Sequence, residues 1–209
     1  LVAATRESKD SFFSRTALGK TLSTYARYNV RARVFFDNTK GLPECYNMAI
    51  DSTEDENEVL VFLHDDVYLT DLFWTQRVID GLRDFDMLGV AGNNRRMPGQ
   101  SAWCFRRVIP EEKIYEFDES RHLSGTVAHG EGFPCRVTRY GPEGQACLLL
   151  DGVLLATRKS SFTQHDIRFD PRFNFHFYDL DICRQFEQAG LTMGTTALSV
   201  IHESGGNFS

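Results

Sequence analysis

Four scarcities bound this chain before any motif is considered. Cysteine pairs are missing: Cys45, Cys104, Cys135, Cys147 and Cys183 are odd in number, widely spaced and free of any CxxC. That excludes the usual zinc-module spacing and a disulfide scaffold, and it points to free thiols in a reducing, cytoplasmic compartment. Long apolar runs are missing too, so no bilayer span is expected and no signal-peptide pattern is present. Basic charge is in deficit, with 23 Lys and Arg against 29 Asp and Glu and a net charge of −6. Such a balance argues against a surface that coats nucleic acid or anionic lipid. A nucleotide held through a divalent cation stays open, because the cation supplies the positive charge. Glycine is missing from Thr5-Arg6-Glu7-Ser8-Lys9, which counts against the phosphate loop of a nucleotidyltransferase. Internal repeats and low-complexity tracts are absent as well.

What is present suits one compact domain: 209 residues, 42% of them hydrophobic. The start at Leu1-Val2-Ala3-Ala4, already strand-like, leads us to expect a piece of a longer protein. A helix follows, with Ser11 or Ser14 near its cap and Phe12, Phe13, Leu18, Leu22 and Tyr25 on one face. Val30 to Phe36 alternates as a strand. Pro43 opens a short helix through Ile50. Val59 to Leu63 reads as a buried strand, Leu72 to Leu82 as a helix, and Met87 to Ala91 as another strand. Strand and helix in alternation predict a mainly parallel α/β sheet with helices on its faces. Residues 93–145 lose that rhythm and read as functional loops or short antiparallel strands. Ala146 to Ala156 is apolar again but broken by Asp151-Gly152. A helix from about Leu180 stops at Gly190, and Leu198 to Ile201 is a last strand delivering His202.

The chain is organised around Val59-Leu60-Val61-Phe62-Leu63-His64-Asp65-Asp66-Val67. A buried strand here runs into two adjacent carboxylates, which repel each other and are costly to bury without a cation or donors. The carboxyl ends of strands are where ligands bind in open α/β sheets. An acidic surface turn is the plain alternative. Hard divalent cations need only one or two protein ligands, which Asp66 and His202 can supply. His202 can equally be a hydrogen-bonded strand-end histidine. Asp179 and Asp181 sit two apart at a helix start, where carboxylates also favour the helix dipole. Asp179 follows Phe175, Phe177 and Tyr178, whose bulk would desolvate it and raise its pKa, as a general base requires; plain core is the alternative for those aromatics.

The order of these features resembles the GT-A fold glycosyltransferases of the family-2-like group. The resemblance rests on Ala4-Thr5-Arg6, Asp37-Asn38, Gly41-Leu42-Pro43 with Tyr46-Asn47, Phe62 to Val67, and Phe169-Asp170. It continues through Phe177-Tyr178-Asp179-Leu180-Asp181 with Ala189-Gly190 to Ile201-His202-Glu203-Ser204-Gly205-Gly206. It implies a Rossmann-like, mainly parallel sheet plus a small antiparallel acceptor-side portion, in one domain. Residues 1–92 would form the nucleotide-sugar half and 93–209 the acceptor half.

The implied activity is transfer of a sugar from a nucleotide diphosphate sugar, UDP-linked by preference, to a hydroxyl of a glycan or glycoconjugate. The implied donor contacts are Ala3, Thr5, Arg6, Asp37, Leu42, Asn47, His64, Asp65 and Asp66. Mn²⁺ or Mg²⁺ would sit on Asp66 and His202, and Asp179 and Asp151 are the catalytic candidates. Trp103 and Tyr140 are candidates to stack on sugar, with buried core the commoner alternative, and Arg95 and Arg96 to reach phosphate, with a solvated surface pair the alternative. The chain departs from the family pattern twice. His64 stands where DxD has its first Asp, and Tyr178 stands where a Glu precedes the base. Those departures leave inverting and retaining outcomes both open, and they motivate an alternative, a sugar- or nucleotide-binding module without turnover.

Overall fold

The computed structural model describes residues 1–25 and 30–203, except the side chain of Pro110. Ser204-Gly205-Gly206 therefore lies outside the described residues. The chain opens on β1 (Val2–Ala4), buried throughout. The single helix expected next is two, α1 (Lys9–Arg15) and α2 (Ala17–Thr24). Thr16 makes the break. Its backbone is extended, and its hydroxyl accepts from the Gly19 amide at 3.0 Å while donating to the Phe12 carbonyl at 2.9 Å. Glycine is needed at position 19, since a Cβ there would stand 2.1 Å from the Phe12 oxygen. Ser8, rather than Ser11 or Ser14, caps α1.

The second strand shrinks to β2 (Arg33–Phe35), because it lies at a sheet edge with one neighbour to hold it. α3 (Leu42–Asp51) starts with Pro43 in its first turn. β3 (Val59–Leu63) is the buried strand expected, and it is followed after a turn by β4 (Val67–Leu69) and then α4 (Trp74–Gly81). The apolar run from Met87 is two strands, β5 (Met87–Gly89) and β6 (Ala91–Asn93), hinged at Val90.

Of the two readings of 93–145, short antiparallel strands is the one adopted. β7 (Phe105–Ile109) pairs with β8 (Ile114–Phe117), and β9 (Leu123–His129) with β10 (Arg136–Gly141). Then come β11 (Leu149–Leu150), β12 (Leu154–Arg158), α5 (Lys159–Thr163), α6 (Tyr178–Gln188), β13 (Met193–Thr195) and β14 (Val200–His202). β4 and β13 are three residues each, too short for periodicity to reveal.

The main sheet has the order β13-β5-β12-β3-β1-β2. Five of its strands run parallel, and β12 alone is reversed between β3 and β5. A second sheet runs β11-β6-β9-β14-β4, with β10 also on β9. The α/β GT-A architecture expected from the resemblance is thus the one adopted. The core around β3 is aromatic: Phe62 meets Phe162, Phe169 and Tyr46 with ring centroids 4.8 to 5.9 Å apart. Among the described residues the chain crosses between the two sheets by very short links. These are His64 to Asp66 (β3 to β4), Val90 (β5 to β6) and Asp151 to Val153 (β11 to β12). Two of the three hold candidate site residues.

Candidate active site

β1 and β3 run parallel with Val2 opposite Phe62. Three residues further on, that register places Thr5 abreast of Asp65. Burial raises the Asp65 pKa, and the neighbouring Thr5 hydroxyl opposes the rise. Thr5 is buried, while Arg6 and Asp37 stand exposed at the carboxyl ends of β1 and β2. The exit loops are tied together by Asn38 N to Thr5 O at 2.9 Å and Asp37 N to Glu7 O at 3.0 Å. Ala3 is wholly buried within β1, and Leu42 is half-buried with its amide on the Asn174 carbonyl at 2.9 Å.

Asn47 makes a contact that the resemblance did not imply. Its side-chain amide donates to the Phe169 carbonyl at 2.7 Å and its oxygen accepts from the Phe169 amide at 3.1 Å. Both ends of the side chain take part in clamping α3 to a distant segment, which gives Asn47 a structural role as well. Arg95 and Arg96 are also engaged. Arg95 forms a two-pronged pair with the buried Asp118, and Arg96 pairs with Glu187 and donates to the Leu148 carbonyl at 3.3 Å. Trp103 is core, packed edge-on to Tyr140 at 4.8 Å, which removes it as a sugar platform.

β4 pairs antiparallel with β14, setting His202 opposite Val67. His202 Nε2 consequently lies 3.2 Å from Asp66 Oδ2, while the Glu203 amide holds the Asp66 carbonyl at 2.9 Å. His64 Nδ1 lies 4.0 Å from Asp66 Oδ1. The donor atoms of His64, Asp66 and His202 all fall within 4.8 Å of one another, a suitable grouping for one metal ion. Two nitrogens and a carboxylate suit Mn²⁺ and the later divalent metals better than Mg²⁺, which favours oxygen. Burial lowers the His64 pKa against the pull of Asp66, which favours the neutral ring, the form that can ligate. Burial also works to lower His202, but its hydrogen bond to Asp66 and that group's charge outweigh it and raise the pKa. The sequence nominated Asp66 and His202 as candidate metal ligands. The structure brings His64 beside them, and His129, opposite His202 across β9 and β14, extends the imidazole wall with rings 6.3 Å apart. That parallel pairing had no sequence signal.

Asp179 stands in the first turn of α6. Its carboxylate accepts from the Gly152 amide at 3.2 Å and the Leu180 amide at 2.9 Å. Desolvation, with Asp151 nearby, nevertheless raises its pKa to about 6. Asp151 caps the crossing turn, its Oδ1 accepting from the Val153 amide at 3.2 Å. Asp181 is turned away, bonded to Gln185 at 2.7 Å, in keeping with a helix-terminal role. Sequence reasoning missed the use of Tyr178. Its hydroxyl meets His64 Nε2 at 2.7 Å and donates to the Gly152 carbonyl at 2.9 Å. The break at Asp151-Gly152 was the visible sign of that contact, because a Cβ on Gly152 would come 2.4 Å from the Tyr178 oxygen.

No curated protein matches the sequence. Among solved structures, the chain is similar to GalNAc-T7 with UDP, GalNAc and Mn²⁺, at TM-score 0.50 and 15% identity, covering 92% of this chain and 36% of that one. It is also similar to S. aureus TarS 1-349 in complex with UDP-GlcNAc, at TM-score 0.49 and 15% identity, covering 99% of this chain and 50% of that one. The chain thus spans half or less of the length of these two structures. At such identity the likeness concerns the fold. Sequence carries the family: a model described as "Glycosyltransferase like family" matches residues 20–205, nearly the whole chain. The chain belongs to this glycosyltransferase-like family.

Proposed function

We propose that this chain is a metal-dependent glycosyltransferase domain that moves a sugar from a UDP-sugar to a hydroxyl of a glycan or glycoconjugate. The observation that carries the reading is the meeting of His64, Asp66 and His202 at the carboxyl end of β3, with Asp65 and Thr5 beside them. UDP is taken as the carrier because the GalNAc-T7 structure, of the same fold, holds UDP and Mn²⁺. Residues 1–92 serve mainly the donor and 93–209 the acceptor, with His202 returning to complete the cation site. The five cysteines without a disulfide fit a reducing, cytoplasmic setting. Among the described residues no helix is long and apolar enough to cross a membrane.

Thr5, Arg6 and Asp37 face the base and ribose, and Asp65 takes a donor hydroxyl. His64, Asp66 and His202 would hold a divalent cation, which would supply charge neutralisation for the leaving diphosphate. In an inverting transfer the acceptor oxygen bonds to the anomeric carbon while the carbon–phosphate oxygen bond breaks. The nucleoside diphosphate departs with the electron pair, and Asp179 takes the hydroxyl proton. A pKa near 6 makes Asp179 ionised yet basic at neutral pH. In a retaining transfer no base is required, and Asp151 and Asp179 contact the sugar instead.

The test is a panel of nucleotide sugars and acceptors with MnCl₂, scored by released nucleoside diphosphate and by product. Release that depends on an acceptor and vanishes in Asp66→Ala supports the reading. Donor binding with no release across the panel favours the non-catalytic binding module, a reading kept because Tyr178 replaces a carboxylate beside the base.

A further inference from the structure

The two departures from the family pattern touch each other. His64 replaces an aspartate and Tyr178 replaces a glutamate, and their side chains meet at 2.7 Å across 114 residues. We propose that Tyr178 is a positioning residue that locks His64 as its Nε2–H tautomer, leaving the Nδ1 lone pair to face Asp66 and making the site select Mn²⁺ over Mg²⁺. The inference rests on the cation reading above.

The hydrogen-bond chain has one consistent direction. The Gly152 carbonyl can only accept, and the Tyr178 hydroxyl is 2.9 Å from it. For both contacts to be hydrogen bonds, the phenol proton goes to Gly152 and His64 Nε2–H donates to the phenol oxygen, with the buried Tyr46 hydroxyl as a further neighbour. Nδ1 is then the bare nitrogen, 4.0 Å from Asp66 Oδ1. That gap is too long for a hydrogen bond. It leaves an unprotonated nitrogen facing a carboxylate, the arrangement in which both would serve as ligands to one cation. Packing holds the lock in place. Tyr178 is 2% exposed, and its ring is edged by Tyr46 at 5.9 Å and tilted against Phe169 at 6.1 Å. Gly152 lets the hydroxyl approach, because any Cβ there would collide with it. An outer partner of this kind fixes ring orientation and tautomer in metal-binding histidines, and its loss typically costs 10- to 100-fold in affinity. Imidazole in place of carboxylate shifts preference away from the oxygen-seeking Mg²⁺.

The experiment uses the full chain, Tyr178→Phe and His64→Asp. Long-range ¹⁵N NMR on the metal-free protein is expected to show His64 protonated at Nε2 in the parent and a mixture of tautomers in Tyr178→Phe. Titration with MnCl₂ followed by electron paramagnetic resonance, and competition by MgCl₂, give the two affinities. The expected results are a 10- to 100-fold loss of Mn²⁺ affinity in Tyr178→Phe and at least a 10-fold fall in the Mn²⁺ to Mg²⁺ ratio in His64→Asp. A parent His64 protonated at Nδ1, or variants that keep the parent's ratio and affinities while Mn²⁺ still binds, overturns this proposal alone. A parent that binds neither metal overturns the cation reading and this inference with it. If Tyr178→Phe does not fold, the parent tautomer and His64→Asp still decide.

Discussion

Asp179 is the side chain whose role and cost are most tightly joined. Its pKa is raised to about 6 because burial, with Asp151 nearby, disfavours the charge. The sign follows directly. Between about pH 4 and pH 6 the folded state holds a proton that the unfolded state releases, so this group's contribution to stability falls as pH rises. Asp179→Asn is therefore expected to melt above the parent at pH 7.5 and no higher than the parent at pH 4. Its transfer rate is expected to fall about 10²- to 10⁴-fold if Asp179 is the base. Melting curves at both pH values and a pH–rate profile check this, and the parent profile is expected to lose activity as pH falls below about 6. Asp66 makes a second residue-scale case. Asp66→Ala removes the carboxylate that meets both His64 and His202, so the Mn²⁺-dependent part of nucleotide binding is expected to vanish. Calorimetric titration of UDP with and without Mn²⁺ reads it.

At the scale of elements, the crossing turns matter more than the strands they join. The sequence reading recovered β1, β3, α3 and α6 from apolar periodicity and from Pro43 and Gly190. It merged α1 with α2 and β5 with β6, because one apolar face runs through each pair. In the first pair the break depends on one hydroxyl at Thr16, with an amide and a carbonyl as partners. Thr16→Ala is expected to lose about 1–2 kcal/mol, read as a lower denaturant midpoint with unchanged slope. Gly152→Ala strikes a different crossing. Its methyl would drive Tyr178 off both His64 and the Gly152 carbonyl and press on Asp179. Activity is expected to fall far more than for Thr16→Ala at matched stability, which assays below each variant's melting point would show.

On the scale of the whole molecule, the candidate donor and cation sites join segments far apart in sequence. The candidate cation ligands come from residues 64, 66 and 202, and the proposed donor contacts reach back to residue 5. A ligand that binds only the folded state stabilises it by about 2.7 kcal/mol at one hundred times its dissociation constant. At roughly 2–4 °C per kcal/mol for a domain of this size, UDP with Mn²⁺ is expected to raise the melting temperature by about 5–10 °C. UDP with a chelator is expected to raise it by much less. Asn47→Ala tests the opposite kind of residue. It cuts a clamp between α3 and Phe169, so it is expected to lower the melting temperature and leave the UDP-induced rise intact.

The sequence alone determined the residue types that can do this chemistry and the strands that deliver them. A buried apolar strand must end somewhere, and His64-Asp65-Asp66 at that end is legible from polarity and spacing. The tertiary structure decided which of those groups meet. Thr5 reaches Asp65 through the β1–β3 register, and His202 reaches Asp66 through the pairing of β4 with β14. Those are long-range contacts between strands of three to five residues, whose register local periodicity cannot encode. The same holds for His64 and Tyr178. Read singly, each is a departure from a pattern. Only the fold, by placing Gly152 under the tyrosine, shows that they are one arrangement.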